Sequence, residues 1–131
     1  MVLLHVLLPG PLWPTVIGRA IGALLLLFGV VLNIVSARLF QQIHTAIKPF
    51  EKSTALAVEG PYRFTRNPMY LGMLLILGGI GLLLGSTTPL LVIPLFLWLI
   101  AKRFVIAEER MLSDTFGTAY AAYRKRVRRW L

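Results

Sequence analysis

The residues that could do chemistry fall in two places. One is the stretch Gly60-Pro61-Tyr62-Arg63-Phe64-Thr65-Arg66-Asn67-Pro68-Met69-Tyr70-Leu71-Gly72. The other is the acidic pair Glu108 and Glu109. Tyrosine offers a hydroxyl and an aromatic face, asparagine both donates and accepts, and a carboxylate is an anionic acceptor. None of these is an activated nucleophile. The sequence has no Ser/His/Asp set, HExxH, Walker loop or GxGxxG after a strand. It has no cysteine, which excludes thiolate catalysis, disulfides and Cys-based metal sites. Two histidines, His5 and His44, are too few and too scattered for a metal site. The remaining chemistry needs a positioned cofactor more than a nucleophile, and group transfer from a reactive carrier fits, because orientation and proximity can supply much of the acceleration. A plainer reading stands beside it. Glu108 and Glu109 could pair with Lys102, Arg103 or headgroup charge, and Asn67, Tyr62 and Tyr70 could be a helix cap and interface aromatics.

These residues must be positioned by a chain that is 57% hydrophobic and 15% charged over 131 residues, with a mean hydropathy of +0.77. Apolar runs of that number and length exceed one soluble core, and predict an all-α integral membrane protein of one domain. The net charge of +9 flanks the apolar runs, which favours a positive-inside topology over nucleic-acid binding. No charge lies mid-span, against an ion or proton pathway.

Three spans are expected, at about 15–40, 68–84 and 89–107, with a polar loop at 41–67 and an amphipathic tail at 108–131. Met1 to Leu8 is too short to span. Pro9, Pro11 and Pro14 break any helix before the first span, Trp13 suits the headgroup level, and Thr15 is a candidate cap. Gly18 and Gly22, and later Gly81 and Gly85, make GxxxG spacings that suit close helix packing or self-association into homo-oligomers. Pro49 and Gly60-Pro61 interrupt the loop. Pro68 suits the first turn of a helix. The uncharged turn at 85–89 predicts a hairpin of the second and third spans, and Pro94 a kink in the third. Leu112, Phe116, Tyr120, Tyr123 and Val127 form one apolar face, breakable at Gly117. The run Arg124 to Arg129 reads as a solvated or headgroup face. All Lys and Arg except Arg19 lie in 38–67 or beyond Ile100, so the N-terminus is expected outside, with loop and tail sharing the cytosolic face of an inner membrane.

The first stretch resembles the G-x-Y-x-x-x-R-H-P-x-Y-x-G motif of the isoprenylcysteine carboxyl methyltransferase and phospholipid methyltransferase superfamily. Glu108-Glu109-x-x-Leu112-x-x-x-Phe116-Gly117-x-x-Tyr120-x-x-Tyr123 resembles its second motif, and Ser53 to Val58 the segment leading into the first. The resemblance runs from about Arg38 to the end, and more loosely over the first span. It implies an integral-membrane methyltransferase using S-adenosylmethionine, with loop and tail enclosing the cofactor. By that resemblance Thr54, Ala55, Leu56 and Ala57 offer backbone contacts. Tyr62, Asn67, Pro68, Met69 and Tyr70 line the cofactor, Glu108 faces it, and Arg103 and Glu109 lie on the side of a lipophilic acceptor. The acceptor could be a prenylcysteine-like carboxylate, a lipid amine or another small apolar molecule, drawn from the bilayer. Two positions depart from the pattern: Asn67 replaces the family's histidine, and Phe104 occupies the place of its substrate-side arginine. Two other readings remain open, an NADPH-dependent membrane reductase of the sterol-reductase branch and a non-catalytic assembly subunit.

Overall fold

The computed structural model describes residues 1–8, 10, 16–44 and 52–131. The expectations placed on Pro9, Pro11, Trp13, Pro14, Thr15 and Pro49 lie outside the described residues. What is described is helical: α1 (Val2–Leu7), α2 (Val16–Gln42), α3 (Pro68–Leu84), α4 (Val92–Ile100), α5 (Ile106–Phe116) and α6 (Thr118–Arg126). Short 3-10 turns at Gly60–Arg63 and Thr88–Leu91 precede α3 and α4. No strand occurs among the described residues; Thr65 and Arg128 form an isolated parallel bridge.

Two helical runs, Val16–Gln42 and Thr88–Phe116, are long and apolar enough to cross a membrane. Their apolar side chains are not consumed in a core. Leu24, Leu27, Phe28, Leu95 and Trp98 all point outward, with Leu24 66% exposed. Faces like these fit lipid rather than water. Together with the fold this indicates a membrane protein. α3 is also apolar but has 17 residues, roughly 25 Å at 1.5 Å per residue.

The principal packing is α2 against α3, antiparallel, along a seam of four glycines. A Cβ on Gly22 would sit 2.9 Å from the Gly79 carbonyl oxygen, and one on Gly79 would sit 2.6 Å from that of Gly22. Gly29 and Gly72 repeat the arrangement, at 2.6 Å from the Gly72 oxygen and 2.9 Å from the Gly29 oxygen. The small residues that meet are therefore seven apart on each helix, not the four of either GxxxG spacing. Two full turns bring a residue back to nearly the same face, and at a shallow crossing angle both levels stay in contact. Gly81 serves a different contact, against Leu90 and Met1, and Gly85 closes α3 in the left-handed region at φ 70°. Gly79→Ala is expected to destabilise the chain by about 1–3 kcal/mol through overpacking against backbone that cannot yield. Unfolding in mixed micelles would measure it.

Pro68 begins α3, as its ring requires. Pro94 falls in the first turn of α4, directly after the 3-10 turn, where a missing N–H is tolerated, and a further irregularity of this run lies beyond it. It is a π turn at Ala101–Val105, joining α4 to α5 directly before Glu108. Gly117, at φ 50°, divides α5 from α6. The apolar face of the tail then folds into a buried cluster of Tyr120, Tyr123 and Val127, packed on Leu56, Val58, Leu112 and Phe116. At the far end of the molecule α1 is attached through His5 Nδ1, 2.7 Å from Ser86 Oγ.

Candidate functional site

The two motifs meet. Tyr70 lies on the first turn of α3 and Glu108 on the first turn of α5. The Tyr70 hydroxyl donates to Glu108 Oε1 at 2.7 Å, across 38 residues of sequence. The Phe104 ring flanks Tyr70, tilted, with centroids 6.5 Å apart. So the residue one helical turn before Glu108 presents an aromatic face to this pair, while Arg103 is exposed.

Tyr62 closes a second side. It is buried in the 3-10 turn, with its ring edge-on to Phe40 at 5.4 Å. Its carbonyl accepts a 2.7 Å hydrogen bond from the Tyr123 hydroxyl. Burial pushes the Tyr62 phenol far above its ordinary range, and the neighbouring Tyr123, Glu108 and Tyr70 add to this. Tyr62 therefore remains a neutral phenol at any physiological pH. Tyr123 is pushed up to about 12, chiefly by burial and then by Tyr120. Tyr123→Phe removes one buried hydrogen bond and is expected to cost about 1–2 kcal/mol of stability, measurable by the same micelle unfolding.

The remaining expected residues divide. Leu56 and Ala57, with Leu39, Ile43, Val58 and Glu59, line an apolar concavity of about 170 Å³ between the end of α2 and the segment leading to Tyr62. Thr54 is exposed and donates to the His44 carbonyl at 2.9 Å. Ala55 and Met69 are partly buried. Asn67 stands at the N-cap of α3, but its side chain makes no cap bond. It is buried, and its amide donates to the Arg129 carbonyl at 2.9 Å. Pro68 is buried beside it.

Glu109, next to Glu108, is turned into a different network. Arg129 grips it with two bonds, Nε to Oε1 at 3.0 Å and Nη2 to Oε2 at 2.7 Å. Arg66 Nη1 approaches Oε1 at 3.1 Å and also donates to the Tyr120 hydroxyl at 3.4 Å. The forked geometry suits guanidinium and carboxylate. It raises the Arg129 guanidinium above its ordinary value, mainly through these bonds. Burial raises Tyr120 as well. The sequence reading did not single out Arg129, Thr65 or Tyr120 for the site. Thr65 donates to the Arg129 carbonyl at 3.1 Å and accepts from the Asn67 N–H at 3.2 Å, while the Arg66 N–H donates to the Arg128 carbonyl at 2.9 Å. For Arg129 the signal was present only as a basic run that looked like a surface face, while Thr65 and Tyr120 lay within the two motifs without a role of their own.

The arrangement offers a carboxylate and three aromatic rings at a membrane helix end, with an apolar concavity beside it. No group of His, Cys, Asp and Glu suited to a metal occurs among the described residues. Against known proteins, the model of a family described as phospholipid methyltransferase matches residues 17–119. The chain is 32% identical over 84 residues, 64% of its length, to the "Protein-S-isoprenylcysteine O-methyltransferase" of Schizosaccharomyces pombe, of which this covers 36%. It is 40% identical over 63 residues, 48% of its length, to an uncharacterized protein of Haemophilus influenzae, all of which is covered. No solved structure matches. The aligned part thus spans about a third of the length of the yeast relative.

Proposed function

Because the chain belongs to the phospholipid methyltransferase family, we propose that it transfers a methyl group from S-adenosylmethionine to a lipophilic acceptor at the cytosolic face of a membrane. The observation that carries the reading is the 2.7 Å hydrogen bond from Tyr70 to Glu108, which unites the two motif segments at one place.

The residues present fit such a cofactor. A sulfonium is a cation, and Glu108 with the Tyr70 and Phe104 rings gives it a carboxylate and aromatic faces. The concavity at Leu56 and Ala57 is smaller than the roughly 300 Å³ at which pockets for whole small-molecule ligands begin, so it would take an apolar part of the molecule. By the family resemblance, the backbone at Thr54 and Ala55 would hold the polar end. S-adenosylmethionine supplies, when bound, a methyl group on a positively charged sulfur. Glu108 would orient it, Tyr70 would fix the carboxylate, and the neutral Tyr62 phenol would exclude water rather than move a proton. Asn67 carries no proton for catalysis, and its amide is committed to Arg129.

For the membrane topology we propose three passes, with α3 as the second, the N-terminus outside and the loop and tail in the cytosol. The basic residues of 38–67 and of the tail support this orientation. Titration calorimetry of the folded, detergent-solubilised protein with S-adenosylmethionine and S-adenosylhomocysteine tests the proposal. Binding of either is expected, and absence of both would end the reading. Transfer of labelled methyl groups from S-adenosylmethionine into extracted membrane lipids would then identify the acceptor.

A further inference from the structure

One residue touches both halves of the site from outside it. Arg129 holds Glu109 with its side chain, by bonds of 3.0 and 2.7 Å, and Glu109 is the direct neighbour of Glu108 on α5. With its backbone carbonyl the same residue accepts from Asn67 Nδ2 at 2.9 Å and Thr65 Oγ1 at 3.1 Å. Asn67 is the N-cap of α3, three residues before Tyr70. We infer that Arg129 is a positioning residue that sets the separation of Tyr70 from Glu108, by tying the start of α3 and the first turn of α5 to one point.

The physical case rests on what else could hold these two elements in register. α3 is fastened to α2 by the glycine seam, but α5 belongs to a run that meets α3 chiefly through the Thr88–Leu91 turn and α4, both ahead of the π turn. Between that turn and Glu108 the run contains the π turn at Ala101–Val105, a point where helices readily change register. Near the site, the Tyr70–Glu108 bond is one hydrogen bond between two side chains, with the Phe104 ring beside it. Arg129 adds a second, forked connection beside it, and Arg66 a third on the same carboxylate at 3.1 Å. Asn67 in place of histidine fits this role. Its amide donor reaches a backbone carbonyl, and its hold is independent of pH.

The inference uses the methyltransferase reading only for its ligand probe, S-adenosylhomocysteine, and a second measurement needs no ligand. Binding is measured by calorimetry on the full chain in detergent for the wild type, Arg129→Gln, Tyr70→Phe and the double variant. Arg129→Gln is expected to weaken binding about tenfold, with partial recovery in Arg129→Lys. In the Tyr70→Phe background the same change is expected to add no more than about twofold, because coupled residues are not additive. Equal effects in both backgrounds would overturn the proposal. Amide exchange without ligand is the second measurement. Arg129→Gln is expected to accelerate exchange in both 65–72 and 106–112, and an effect confined to 127–131 would overturn the proposal. Asn67→Ala, which leaves the Glu109 grip in place, is expected to accelerate 65–72 alone. It also serves if Arg129→Gln fails to fold, and acceleration of neither segment would then count as refutation. A wild type that binds no S-adenosylhomocysteine would sink the methyltransferase reading while leaving the exchange result to decide on Arg129.

Discussion

Glu109→Ala is expected to lower stability by about 3 kcal/mol, the largest loss from any single truncation at this end of the molecule. The carboxylate is nearly buried and accepts from two arginines at once. Its removal leaves Arg66, whose side chain is 10% exposed, as an uncompensated buried charge whose Nε already lacks a partner. Arg129 suffers less because it is more exposed and water can solvate it. Glu109→Gln should recover part of the loss by keeping an acceptor for one guanidinium. Unfolding in mixed micelles measures both, and a loss under 1 kcal/mol for Glu109→Ala would show that the arginines find solvent without moving the tail.

Glu108→Ala should have the opposite profile. Its carboxylate has a tyrosine hydroxyl and no guanidinium within ion-pair distance among the described residues, so truncation costs the fold about one hydrogen bond, 0.5–1.5 kcal/mol. Affinity for S-adenosylmethionine should fall far more. A hydrogen bond to a charged group is worth about 1.5–3 kcal/mol, or roughly 10- to 100-fold in binding. Calorimetry in parallel with unfolding reads the two effects separately. Unchanged affinity in a folded Glu108→Ala protein would remove this residue from the site. Under the proposed function two neighbouring acids divide their work: Glu108 would face the cofactor, while Glu109 anchors the scaffold.

The sequence showed the helical class, the membrane character and the two segments that converge, because each of these is written locally. Pro68 marks a helix start, Gly117 a break, and the spacing of Leu112, Phe116, Tyr120, Tyr123 and Val127 marks a buried face. What it did not show is tertiary. Arg129 looks like its exposed neighbours, and its partners lie 20 and 62 residues away. The pairing of Gly22 with Gly79 depends on how two helices cross, which neither helix states alone. Pro94 lies in the first turn of α4, directly after a 3-10 turn, and the π turn that follows has no signature in Ala101 to Val105.

The glycine seam bears on how a fatty guest could arrive. At both levels of contact the backbones of α2 and α3 leave no room for a methyl group, and the levels stand roughly 10 Å apart along the axes. That wall is shut to an acyl chain over much of its height. If the proposed acceptor comes from the bilayer, it would have to reach Tyr70 and Glu108 by another flank, and the α3–α5 side, joined at the site by a side-chain hydrogen bond, is the flank left to test.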